Sequence, residues 1–208
     1  MTRITRDRPL DDGAGRRSFT PKIALGIHGG HPEGSVTSSV SPVRDSLLSA
    51  WSTNDRVMRA LIEQLPRALW AAAIPGTPRR TIRTLACHIH NARCAWIKTL
   101  GKPHGVAVPA RVDRYRTSRT ELLRALPRSG RGIAALLTLG LEHGGAIPPT
   151  PAYVWRNLPL DVGHVLAYFV AHEAHHRGQI VLVARQLGQR LPPAVTNGLW
   201  QWSRRAGA

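Results

Sequence analysis

An apolar rhythm of 3.6 residues runs unbroken from Asp161 to Leu187 and stops at Gly188, and it narrows the fold more than any other feature. Val165, Leu166, Phe169, Val170, Ile180 and Val183 mark one face of a long helix there. Three further stretches share the rhythm. Leu47, Leu48, Trp51, Val57, Met58, Leu61, Ile62 and Leu65 define a first helix, capped near Asp45 and closed by Pro66. Ile82, Leu85, Ile89, Trp96 and Leu100 define a second, from Arg80 or Thr81 to Gly101 and Pro103. A third helical region begins near Thr117 and carries Leu122, Leu126, Ile133, Leu136, Leu137 and Leu141. Pro127 and Gly130 predict a break into two pieces. No β-hairpin signal is legible, and Asn197 to Trp202 reads as a short closing segment. Four amphipathic helices that must bury their stripes against one another predict an all-α four-helix bundle.

The bundle is expected over residues 44–208. Residues 1–43 mix Gly, Pro, Ser, Thr and charges without a sustained period, which predicts a disordered or loosely attached N-terminal extension. No apolar block follows Arg3, Arg6 and Arg8, so no secretory signal is expected. No run reaches the roughly 18 apolar residues of a membrane span. Cys87 and Cys94 stand two helical turns apart, too far to bridge, and reduced thiols in a cytoplasmic protein are the simple expectation.

Charge needs a separate account. The chain carries +17, and residues 1–45, with seven basic and five acidic side chains, hold little of it. A field of that sign concentrates anions, nucleic acid among them. No recognition motif accompanies the charge, and the arginines are scattered over several helices. A non-enzymatic basic bundle that binds nucleic acid or an acidic partner is therefore the alternative to an enzyme.

Chemistry concentrates in His172-Glu173-Ala174-His175-His176-Arg177-Gly178-Gln179. Four residues apart on a helix, His172 and His176 project from the same face, in line with Val165, Phe169, Ile180 and Val183, so they are expected to point inward. Each buried imidazole needs a partner for its ring nitrogens, and one divalent cation serves both. The string also reads His-Glu-x-x-His, the zinc-protease pattern, with Glu173 as general base. That pattern wants a ligand downstream, yet no Asp or Glu follows Glu173 and no His follows His176. A third ligand must come from upstream. His88 and His90 flank the second helix's stripe on opposite sides, and periodicity does not choose between them. His143 and His164 are weaker candidates.

The order Leu85-Ala86-Cys87-His88-Ile89-His90-Asn91-Ala92-Arg93, then His172 to Ile180, resembles the DinB-like metalloenzymes, which share only a name with the lesion-bypass DNA polymerase. Trp51, Asn54 and the Gly198-Leu199-Trp200-Gln201-Trp202 ending belong to the same resemblance, which covers about residues 45–202 and leaves residues 1–43 without a counterpart. The resemblance implies an up-down-down-up four-helix bundle. It also implies a divalent metal (zinc, nickel or iron) on His88, His172 and His176. His90 and His175 then become neighbours of the site. Glu173 either holds a histidine tautomer or faces solvent, and Arg177 and Gln179 either orient a substrate or bridge helices. A metal-dependent transferase that activates a low-molecular-weight thiol, or a hydrolase that activates water, is the implied activity. A small-molecule substrate and a homodimer are the implied partners.

Overall fold

The computed structural model describes residues 42–74 and 76–207, and the extension predicted over residues 1–43 lies outside them apart from its last two residues. Helix α1 spans Pro42–Gln64 and α2 spans Ile82–Trp96. Helix α3 spans Arg119–Glu142 and α4 spans Val162–Gln186. Two short helices, α5 (Pro193–Gly198) and α6 (Ser203–Ala206), close the described chain.

Helix α1 starts upstream of the expected cap, because proline suits a first turn whose N–H would go unbonded anyway. Asp45 then sits inside that turn, against the positive end of the helix dipole. Thr81 caps α2 in a reciprocal pair with Thr84, and Ser118 caps α3 in the same way with Glu121. The connector before α2 holds a small antiparallel ribbon, β1 (Ala73–Ile74) against β2 (Thr77–Thr81), which the sequence reading missed.

The predicted break in α3 does not occur. Pro127 lies inside one continuous helix. A mid-helix proline costs about 3 kcal/mol, and buried Leu122 and Leu126 on one side of it, with Ile133, Leu136 and Leu137 on the other, supply packing to offset that. Gly130 is a point of close approach rather than a breaker. A Cβ there would stand 2.9 Å from the Asp55 carboxylate, and the Gly130 carbonyl accepts a 2.8 Å hydrogen bond from Trp51 Nε1.

Pairings along the helices set their directions. Arg44 meets Glu142, Trp51 meets Gly130, and Arg119 donates to the Leu65 carbonyl, so α1 and α3 run antiparallel. Trp51 meets Phe169 and Asn54 meets Glu173, so α1 and α4 run the same way. His88 lies by His176 and Trp96 by Tyr168, so α2 opposes α4. The result is an up-down-down-up bundle. Parallel α2 and α3 need a return strand of chain, and residues 102–118 supply it. This crossover is pinned to α2 where Asn91 bonds the backbone of Val112 in both directions.

The core comes in two apolar pools. Met58, Leu61, Ile82, Ile89, Leu126 and Ile180 belong to one, and Trp51, Ile97, Ile133, Leu136, Val165 and Phe169 to the other. Between them lies a layer of buried polar side chains: Asn54, Asp55, Arg93, Ser129, Glu173 and Arg177. Among the described residues, no helix is long and apolar enough to cross a membrane.

Candidate metal centre

The buried line of α4 runs Phe169, Glu173, Arg177, Ile180, so the polar layer occupies the helix's innermost face. His172 and His176 stand beside that line, half-buried, on the side that faces α2. The expectation that they point fully inward is corrected by this one-residue offset, about 100° of helix rotation. On α2, His88 precedes buried Ile89 and is also half-buried. It faces α4.

The three rings converge. The centroid of His88 lies 5.4 Å from that of His172 and 4.7 Å from that of His176. One ligand nitrogen from each falls within 4.8 Å of the other two. Nε2 of His172 and Nε2 of His176 are 3.2 Å apart.

His90, the sequence's competing candidate, leaves for the opposite side of α2. Its Nδ1 accepts from Ser129 Oγ at 2.9 Å and its Nε2 reaches the Ala110 carbonyl at 3.0 Å, fully buried. It fastens α2 to α3 and to the crossover. His143 bonds the Leu139 carbonyl at the end of α3, and His164 pairs with its own N-cap, Asp161.

Hydrogen bonds orient one ring of the cluster. Gln179 Oε1 accepts from Nδ1 of His176 at 2.9 Å, and the Gln179 amide nitrogen donates to Nε2 of His175 at 2.8 Å. With its Nδ1 proton so engaged, His176 directs an Nε2 lone pair at the cluster. Burial, then the neighbouring imidazoles, pushes the pKa of His172 down to about 4. Burial also lowers His88 and His176, with His176 itself and Arg114 adding to the effect on His88. Neutral rings, the form that ligates metals, are thereby favoured.

Glu173 does neither thing expected of it. It is wholly buried and bonds none of the rings. Its carboxylate takes Nε and Nη2 of Arg93 at 2.6 and 2.8 Å and the Asn54 amide at 2.8 Å. Arg93 gives its remaining arm to Asp55 at 2.6 Å and lies over the Trp51 ring. Arg177 bonds Asn54 Oδ1 at 2.8 Å and so bridges α4 to α1. The two carboxylates hold the Arg93 guanidinium charged against its burial. No role for Arg93 or Asp55 was read from the sequence, although one signal existed: Arg93 sits four residues from both Ile89 and Ile97, in the middle of a buried stripe.

The cluster forms a partition between two recesses. One, of about 640 Å³, is lined by Arg79, Arg80, Arg114, Leu85, His88 and His176. The other, of about 450 Å³, is lined by Trp96, Trp155, Tyr168, Arg111, His88 and His172. His88 belongs to both. A ligand could approach the three nitrogens from a cationic side or from an aromatic one.

A search of curated proteins gives no match. The sequence profile of the DinB family, by contrast, matches residues 37–204, and the four-helix bundle with histidines gathered from α2 and α4 is carried by a chain that belongs to the DinB family.

Proposed function

We propose that His88, His172 and His176 hold one divalent ion, zinc, nickel or iron, and that the protein is a metal-dependent enzyme, either a transferase that uses a low-molecular-weight thiol or a hydrolase. The observation that carries this is the convergence of three imidazole nitrogens from two helices within 4.8 Å, at the meeting of two open recesses. The donor set fits. Two nitrogens that bond one ion at about 2.1 Å stand about 3.0 to 3.4 Å apart in octahedral or tetrahedral arrangements, and the His172–His176 pair stands at 3.2 Å. Three protein ligands leave coordination positions open, the habit of catalytic rather than structural sites.

An ion so held supplies Lewis acidity that lowers the pKa of a thiol or water. The remaining work falls to the chain. Gln179 fixes the tautomer of His176. Arg80 and Arg114 give the larger recess a positive field that draws in an anionic small molecule. The protein's own thiols are unsuited to the reaction: Cys87 and Cys94 are buried, and burial pushes the Cys87 thiol up to about 12 and raises Cys94 too. A reacting thiol therefore comes with the substrate.

Elemental analysis of gently purified protein, followed by thiol conjugation across a panel of electrophiles with and without added metal, tests the reading. One equivalent of metal and metal-stimulated turnover are expected. A metal-free protein that refuses zinc, nickel and iron sinks it and leaves a vestigial cluster. Metal without turnover on either a thiol or a hydrolytic panel limits the ion to stapling the bundle.

A further inference from the structure

We propose that the smaller recess is a specificity site for a planar aromatic carboxylate, with its ring among Trp96, Trp155 and Tyr168, its anionic group on Arg111, and its far edge toward His88 and His172. For its chemistry this rests on the metal-dependent reading above; for its binding it does not.

Aromatic rings form a continuous wall there. The Tyr168 ring stacks on His172 at 5.8 Å with planes 13° apart, and Trp96 meets Tyr168 edge-on at 5.2 Å. Trp155 meets Trp96 edge-on at 6.4 Å and Tyr153 edge-on at 6.5 Å, which carries the wall onto the loop. The wall thus runs from the candidate ligand His172 outward to the rim. Its members are at separations and angles that suit ring-on-ring contact, which contributes beyond area alone.

Trp155 is the telling residue. It is 63% exposed, although a tryptophan is the side chain with most to gain from burial. Its loop nevertheless holds it in place. The Tyr153 hydroxyl accepts from the Leu158 N–H at 2.7 Å and donates to the Leu158 carbonyl at 3.0 Å, which ties the loop's two ends together. Arg156, next to Trp155, adopts φ +47°, a left-handed backbone that an arginine rarely takes. Strain of this kind gathers at ligand clamps. Its edge contacts with Trp96 and Tyr153 still leave 63% of Trp155 exposed, and a ring that fills the recess would cover what this tied, strained loop presents.

Charge and size narrow the occupant. Arg111 lines the recess with Asn91 and Asn157, and among the described residues no carboxylate lines it. An anionic substituent there finds a guanidinium donor and no repulsion. About 450 Å³ lies within the range that small-molecule sites occupy, roughly 300 to 1,000 Å³.

Calorimetric titration of three probes into metal-free protein and into zinc-loaded protein tests this. The probes are 2-naphthoate, cyclohexanecarboxylate (charge without the ring) and 2-naphthalenemethanol (ring without the charge). Metal-free protein matters because a carboxylate could bind zinc directly. Naphthoate is expected to bind metal-free protein more tightly than either control. Trp155→Ala should weaken it about 2- to 12-fold, the range for one aromatic contact, and Arg111→Ala should erase its advantage over the alcohol. Both side chains are exposed, so both variants should fold. Equal binding of all three probes, or wild-type affinity in both variants, overturns the proposal even if zinc binds stoichiometrically. Failure to take up zinc while naphthoate still binds in a Trp155- and Arg111-dependent way defeats the metal reading and leaves this one standing.

Discussion

Arg93 and Glu173 form a two-pronged ion pair without solvent exposure, at 2.6 and 2.8 Å, directly behind the three histidines. Glu173 lies between His172 and His176 on α4, and Arg93 lies five residues beyond His88 on α2. The pair therefore sets the rotation of one histidine-bearing helix against the other. Breaking a buried pair from one side costs about 3–5 kcal/mol, because the remaining charge is stranded. Glu173→Ala should lower the melting temperature by about 6–20 °C, at roughly 2–4 °C per kcal/mol for a chain of this size. Circular dichroism melts check this, and a shift below about 3 °C would show that the pair contributes little. The double variant Arg93→Met with Glu173→Leu should recover only part of the lost stability, since apolar groups fill the space but Asp55, Asn54 and Arg177 lose their buried partners. Its zinc affinity should stay weaker than that of wild type, because apolar packing does not fix helix rotation as a forked pair does.

His172→Ala should reduce bound metal from one equivalent to none. Because His172 is only half-buried, the metal-free fold should survive with its helical content intact and its stability within about 1 kcal/mol, as for most substitutions outside a core. Metal content by elemental analysis, together with a far-ultraviolet spectrum, separates the two effects. Full metal occupancy in this variant would remove His172 from the ligand set.

Gln179→Leu removes the acceptor that holds the Nδ1 proton of His176. Loss of such an orienting partner weakens metal binding about 10- to 100-fold. Competition against a chromophoric chelator measures it. Unchanged affinity would mean that the Gln179 contact serves only the helix surface.

The depressed histidine pKa values make a pH prediction with a definite sign. Unfolded, these rings titrate near 6.5; folded, His172 is held down to about 4. Between those values the unfolded chain binds more protons than the folded one. The metal-free protein should therefore lose stability as pH falls from 6.5 toward 4, with no further loss from this residue below that. Carboxylates titrate near the lower end as well, so the useful quantity is the difference between wild type and His172→Asn in urea unfolding at pH 7, 5.5 and 4. That difference should change with pH in favour of the variant at pH 4, and a flat difference would contradict the shift.

Gly130→Ala places a methyl group 2.9 Å from the Asp55 carboxylate that Arg93 uses. Overpacking of this sort costs about 1–3 kcal/mol. Urea denaturation should show a lower midpoint with an unchanged slope. A neutral or stabilising result would mean that α3 moves away from α1 at little cost.

What the sequence by itself determined is local. Helix existence, the start of α4 at Asp161 and the stop at Gly188 follow from residues within a few positions of one another. The pairing of His172 with His176 is local too, since a four-residue step on one helix brings the rings together whatever else the chain does. The sequence's likeness to the DinB-like proteins singled out His88, but its periodicity left His88 and His90 level. Only the packing of α2 against both α3 and α4 separated them, sending one ring to Ser129 and the other to the pair on α4. The same is true of Glu173 and Arg93, distant in sequence, whose burial is tolerable because they pair with each other and Arg93 also with Asp55. The uninterrupted α3 also belongs to tertiary structure, because contacts on both sides of Pro127 offset what the proline costs locally. Residue spacing along one helix is read directly from the chain; which face meets which neighbour depends on contacts summed across all four helices, and those exist only once the bundle has formed.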